Sequence, residues 1–274
     1  MNFTRLTGLR DIARQLGITK LLSFRSTIAN NKARKYYEMH KPAAASISLL
    51  GYSYQLNTGS AYEWMRANAV YQDKHILEKL LSHLDAGMNC WDIGASIGAY
   101  SCILSLKNKP NGIVYAFEPE HSSRQKLNAN LQLNNISNVQ IYDLALGSEE
   151  KQLHLVLAHD ASAGTHRLDQ GDSITSGESQ VVHVTTIDKL IERDHLKIPG
   201  VIKIDVEGFE EQVLIGGKNT IRDQACRAIM IEMHFSIFAQ QKDNNRANRI
   251  AEILKQAGFT KQDWIDPSHL FATK

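Results

Sequence analysis

The sequence predicts an α/β fold: a doubly wound, mostly parallel sheet with an inserted β-hairpin and an N-terminal helical arm. Three observations predict it. From His75 onward, short apolar runs alternate with stretches of helical character, the rhythm of βαβ units. Between about residues 150 and 187 this rhythm gives way to two runs of strict period-two alternation, the pattern of a hairpin. Ahead of both, Met1 to Lys41 carries many Arg and Lys residues against only Asp11 and Glu38.

The arm comes first in the chain. Leu6, Leu9, Ile12 and Leu16 recur at helical spacing among Arg5, Arg10 and Arg14. A helix packed on the main domain accounts for this pattern. So does a basic amphipathic helix resting on an anionic membrane or partner, and an organelle transit peptide is a third reading. The arm and an entry segment are assigned to residues 1–74, and the main domain to 75–274.

Lys79 to Leu84 reads as a helix, stopped at Asp85-Ala86-Gly87. NCWDIG is a short strand, and SIGAYSCILSLKN is a helix closed by Pro110-Asn111-Gly112. GIVYAFE is the next strand. EHSSRQKLNANLQLNN is a helix with Leu127 and Leu131 on its apolar side. NVQIYDLAL reads as one continuous third strand. KQLHLVLA and QVVHVTTI form the hairpin around a long polar loop, a length that suits a lid or binding loop. Thr186 is placed to cap the helix that follows. VIKIDVE, a short helix ending near Gly216-Gly217, and the strand RAIMIEMH restore the α/β rhythm. NNRANRIAEILKQAG is amphipathic, and FTKQDWI and HLFATK are terminal strands.

Bulk properties exclude several classes. The chain has 274 residues and a net charge of +2, too mild to call for nucleic acid. Its 3 Cys form no metal-type or disulfide pattern, which suits a reducing, cytoplasmic setting. No apolar run is long enough to span a bilayer and no signal-peptide pattern is seen, so membrane association would fall to the basic arm.

The chemistry concentrates in DIGASIG. Asp92 ends a strand, and Gly94, Ala95, Ser96 and Gly98 form the turn into a helix. Such a turn lets backbone approach a ligand at a helix N-terminus. A dinucleotide site would carry G-x-G-x-x-G, which is absent. A carboxylate beside the ligand suits a cationic group better than a pyrophosphate, and S-adenosylmethionine, with its α-ammonium and no phosphate, fits. Glu118 ends the next strand, where an acid receives ribose hydroxyls in doubly wound folds. Asp143, at the end of the third strand, is placed beside the adenine or in a turn. Tyr100, just inside the first helix, lines the donor site or packs.

The stretch VIKIDVEGFEEQ poses a puzzle. Lys203, Asp205 and Glu207 alternate through a strand and so share one face. Either this is an edge strand with a solvated face, or the strand runs into an active-site crevice. Glu232 and His234 share a face of the strand IMIEMH in the same way.

Together, DIGASIGAYS, AFEPE, LNANLQLNN, VTTIDKL, IKIDVEGFEEQVLIGG and IMIEMH resemble the FkbM-type methyltransferases in order and spacing, over about Leu77 to His234. Ser96 stands where that family often has Asn. The resemblance implies a class I, Rossmann-like methyltransferase fold, S-adenosylmethionine as donor, and O-methylation of a sugar, glycan or polyketide-type acceptor. It also makes the two charged strands neighbours. His234 or Glu207 is then the expected general base, Asp205 holds donor or acceptor, and Lys203 keeps a carboxylate ionised. Asp205, Glu207, Glu232 and His234 are alternatively ligands for a divalent cation. His154 and His183 are read as structural, and His159 and His166, in the polar loop, as acceptor contacts. Two other functions stay open: a nicotinamide-dependent oxidoreductase on the same fold class, and a binding module without turnover. A nucleic-acid base methyltransferase would carry an Asn/Asp-Pro-Pro-aromatic motif where IDVEGF stands.

Overall fold

A computed structural model describes residues 31–156, 167–168 and 179–274. Most of the basic arm and of the polar loop, with His159 and His166, lie outside the described residues. Residues 31–40 are helical. An antiparallel hairpin follows, β1 (Ala44–Leu49) and β2 (Tyr52–Asn57), and then the helices α1 (Ala61–Gln72) and α2 (Lys74–Leu81). Neither the hairpin nor α1 was anticipated. β1 buries every second residue, Ala45, Ile47 and Leu49, in the same apolar cluster as Leu77 and Leu80 of α2. Residues 44–72 are thus part of the main core.

The α/β core comprises β3 (Cys90–Ile93), α3 (Ala99–Lys107), β4 (Val114–Phe117), α4 (His121–Leu133) and β5 (Val139–Tyr142). The predicted third strand ends earlier than its apolar pattern suggested. Asp143 and Leu144 break it, and Ala145–Leu146 forms β6 in a different sheet. There β6 pairs with β9 (Ser179–Thr185), which pairs with β7 (Lys151–Val156), and β7 in turn with β8 (Arg167–Leu168). The β7–β9 pairing is the expected hairpin, antiparallel from Lys151↔Val184 to Val156↔Ser179. His154 and His183 lie on its solvent face.

The chain returns through α5 (Ile187–Asp194), capped by the Thr186 hydroxyl accepting from the Lys189 N–H at 3.1 Å. β10 (Val201–Ile204), α6 (Glu210–Gly216), α7 (Lys218–Arg222), β11 (Ala228–Glu232), α8 (Phe235–Gln240), α9 (Arg246–Gln256), β12 (Lys261–Trp264) and β13 (His269–Thr273) complete it. The main sheet has seven strands in the order β12-β13-β11-β10-β3-β4-β5, with β13 antiparallel to its neighbours. Alternate residues feed two apolar layers. Cys90, Val114 and Val201 join one, and Trp91, Tyr115 and Ile202 join the other. Burial on both faces explains why these strands read as near-continuous apolar runs.

β10 is central, between β3 and β11, so the edge-strand reading of VIKIDVE is overturned. Among the described residues, no helix is long and apolar enough to cross a membrane.

Candidate active site

The site lies at the carboxyl ends of β3, β4, β10 and β11, where open α/β sheets hold ligands. Gly94 and Gly98 take φ of +81° and +86°, which only glycine adopts without strain. A Cβ on Gly94 would stand 1.8 Å from the Asp205 carbonyl oxygen, and one on Gly98 would stand 2.3 Å from Leu127 Cδ1. Gly94 lets two strand ends touch, while Gly98 lets α3 meet α4. Ser96 is itself left-handed, at φ +50°, and its N–H donates to Glu118 Oε2 at 2.7 Å.

Two adjoining clefts open here, sharing Gly94, Ser96, Asp205 and Arg66. The first, about 740 Å³, runs from Glu118 and Phe117 past Leu144 to Asp205 and Glu207. The second, about 560 Å³, is bounded by Ala95, Tyr100, Lys203, Glu232, His269 and Asp73. Glu118 is nearly fully buried, with its other oxygen receiving the Glu120 N–H at 2.8 Å. Burial pushes its carboxyl up to about 7, against the pull of those two backbone donors.

Asp92 is placed differently from expectation. It is fully buried and walls neither cleft. Its carboxylate accepts from Ser101 Oγ at 2.6 Å and lies 3.1 Å from Lys203 Nζ. Its register opposite Lys203 turns it into the sheet's own packing layer, so it positions rather than touches. Lys203 donates to the Gly94 carbonyl at 2.7 Å and lies 3.5 Å from Asp205 Oδ2. Burial pulls this ammonium down, but Asp92 and Asp205 hold it raised overall. The puzzling charges are therefore a buried ion pair that fastens the glycine turn to the central strand. Tyr100 stands beneath the ammonium, 5.5 Å away, and its hydroxyl donates to Asp73 at 3.3 Å.

Asp143 also departs from its expected place. Its side chain is 73% exposed, pairs with Arg124 at 3.3 Å, and walls neither cleft. The break after β5 turns it outward and leaves Leu144 on the wall. Gly98 likewise serves packing and not the ligand surface.

The predicted face of three charges is not one strand face. β10 ends at Ile204, and Glu207 turns back at φ +51°. That turn brings its carboxylate 3.0 Å from His234 Nε2, which is also 3.6 Å from Asp205 Oδ1. The other ring nitrogen, Nδ1, is 2.6 Å from Glu210 Oε1. Glu210 is fully buried and was missed, because an acid opening a helix reads as an ordinary first-turn residue. Its Oε1 also receives the Gly208 N–H at 2.9 Å. Burial alone would lower the imidazole's affinity for protons. Glu207 and Glu210 outweigh it and raise its pKa to about 11. With both nitrogens donating to carboxylates, His234 has no lone pair for a substrate proton. Burial raises the Glu207 carboxyl, and it would also raise Asp205, but Lys203 and His234 hold Asp205 down at about 2.

Glu232 does not join this group. It faces His269 at 3.6 Å in the second cleft, because His234 lies beyond the end of β11, at the start of α8, and the two do not share a strand face. One atom each of Asp205, Glu207 and His234 fall within 4.8 Å of one another, a spacing that could hold a metal ion.

The strand order with one reversed strand, the glycine turn after β3 and the acid after β4 define a class I methyltransferase fold. The chain belongs to the FkbM methyltransferase family: the Methyltransferase FkbM domain matches residues 92–261, more than half of its length. This displaces the nicotinamide reading. The chain is 26% identical over 205 residues to hexuronic acid methyltransferase AglP of Haloferax volcanii, covering 75% of this chain and 80% of that protein. It is 30% identical over 141 residues to methyltransferase 1 of Beauveria bassiana, covering 46% of this chain and 56% of that one. A solved FkbM methyltransferase from Methylobacillus flagellatus is 15% identical, with a TM-score of 0.46 over 91% of this chain and 59% of its own.

Proposed function

We propose that the protein transfers a methyl group from S-adenosylmethionine to a hydroxyl of a sugar, glycan or polyketide-type small molecule. The observation that carries this is the convergence of Asp205, Glu207 and His234 beside the Gly94 turn, next to a cleft walled by buried Glu118. Kinship with a hexuronic acid methyltransferase supports a sugar-type acceptor. Glu118 would receive the ribose hydroxyls, and Gly94 to Ser96 would border the amino-acid tail. The donor supplies a methyl group already activated on a sulfonium.

The protein's share of the chemistry is alignment and proton removal. When bound, the donor would supply a methyl carbon whose bond to sulfur breaks, the electron pair leaving with sulfur, as the acceptor oxygen bonds to it. The hydroxyl proton passes to the Glu207 carboxylate. His234, held as an imidazolium between Glu207 and Glu210, orients that base. The cluster spacing favours a second reading, in which a divalent cation on Asp205, Glu207 and His234 orients the hydroxyl. His234 would then ligate through Nε2, its Nδ1–H still held by Glu210.

Calorimetric titration with S-adenosylhomocysteine and, separately, NAD tests the donor. We expect saturable binding of the first alone, weakened in Glu118→Gln; no binding, or binding indifferent to Glu118, would refute the reading. Turnover on a glycoside panel, followed by S-adenosylhomocysteine release, tests the base. Glu207→Gln should cut kcat by roughly 10²–10⁴-fold with donor affinity intact. Activity that survives EDTA keeps the proton with Glu207, whereas loss restored by magnesium favours the cation.

A further inference from the structure

The two clefts meet at Arg66, the one α1 residue that walls both. Tyr62, one turn before it, lies on the first cleft, and Asp73, just past the end of α1, on the second. The guanidinium makes no hydrogen bond and no ion pair with any described residue. Its charge neighbours are the Tyr62 phenol and the carboxylates of Asp205, Glu232 and Glu207. Lys203, the other strong base on these walls, is committed to Gly94, Asp92 and Asp205. Arg66 therefore brings to the junction of the two clefts a planar fork of donors, the shape that binds carboxylates in pairs of hydrogen bonds.

In the first cleft the other charged groups, Glu118, Asp205 and Glu207, are all acids set in an apolar wall. In the second, Asp73 and Glu232 stand with Lys203 and His269, two cations already held by carboxylates. A neutral sugar needs no cation in such a place. An anionic acceptor does, since Asp205 and Glu207 would otherwise repel it from the base. Arg66 belongs to a segment ahead of the matched methyltransferase domain, which begins at Asp92. That position suits a device of acceptor choice. On the donor reading above, the uncapped first turn of α3 would receive the carboxylate of the donor's amino-acid tail.

We propose that Arg66 binds a carboxylate of the acceptor, so that the acceptor is an acidic sugar of the uronic-acid class. This rests on the hydroxyl-methylation reading above. The test uses p-nitrophenyl β-D-glucuronide and the matching glucoside, which differ in the carboxylate, titrated into protein saturated with S-adenosylhomocysteine. Wild-type protein should prefer the glucuronide. Arg66→Gln should lose that preference, weakening the glucuronide on the order of tenfold or more while leaving the glucoside and S-adenosylhomocysteine unchanged, and Arg66→Lys should be intermediate. Thermal unfolding of each variant confirms an intact fold. No preference in the wild type, or one that survives in Arg66→Gln, overturns the assignment. So does a fall in S-adenosylhomocysteine affinity with the preference intact, which moves Arg66 to the donor's own carboxylate. Failure of the wild type to bind S-adenosylhomocysteine at all would fall first on the donor reading and take this one with it.

Discussion

At the residue scale, Glu118 makes the donor reading answerable to pH. Its carboxyl sits at about 7 because burial outweighs two backbone donors. Ribose hydroxyls donate best to the ionised form, so donor affinity should rise as pH climbs through that value. If binding requires the carboxylate, the dissociation constant at pH 6 should be up to about tenfold weaker than at pH 8. Titrations with S-adenosylhomocysteine at the two pH values check this, and Glu118→Gln should flatten the difference. The place of Glu118 on the cleft wall was legible from its position after a strand, about 20 residues beyond the glycines. Asp92 was legible as important but not in its role, because sequence position cannot say whether a strand-end acid faces a ligand or a lysine on the next strand. Glu210 and Arg66 left no local signal. One needs the partner histidine in view, and the other lies on a helix that no motif marks.

At the element scale, the hairpin β1–β2 is tied to the glycine turn after β3 by a single buried side chain. Asn130 of α4 accepts from the Asn57 N–H at 2.8 Å and donates to the Ile97 carbonyl at 2.8 Å. Neighbouring Asn134 makes two further bonds to Gln55, at 2.7 and 2.6 Å. Asn130→Ala would strip partners from the Asn57 N–H and the Ile97 carbonyl, at about 1–3 kcal/mol for each buried group left unpaired. Urea unfolding should show that loss as a lower midpoint, and donor affinity should fall with it because Ile97 lies in the glycine turn. The strands of the main sheet were readable from apolar runs and turn residues, and so was the β7–β9 hairpin. β1 and β2 alternate just as plainly, yet they follow a basic stretch that drew the segment into the arm. α1 buries Glu63, Ala67 and Val70, too mixed a set to trace an apolar stripe. The split between β5 and β6 was hidden because NVQIYDLAL stays apolar across the change of sheet.

Over the whole molecule, the site stores charge that folding must hold in place. His234 is raised to about 11 by Glu207 and Glu210 against its burial, and His269 to about 10 by Asp266 and Glu232 against its own. An unfolded histidine titrates near 6.5. Each raised pKa therefore adds stability that is fully present below about pH 6.5 and drains away as pH rises through 10 to 11. Above that, two neutral imidazoles would leave four carboxylates without their cations. Asp205, held at about 2, responds in the opposite direction and gives up its contribution only in strong acid. Glu118, raised by burial to about 7, and Asp73, raised by burial to about 6, instead shed stability as rising pH ionises them. Thermal unfolding should thus slip downward between pH 5 and 7, as Glu118 and Asp73 ionise, and go on falling steadily toward pH 10 as the two histidines lose their protons. His269→Gln removes one of the two groups without touching the proposed base, so it should unfold earlier at pH 6.5 and lose less on the way to pH 10. If its melting curve ran parallel to that of the wild type across this range, the alkaline loss would have to come from elsewhere than these imidazolium–carboxylate clusters.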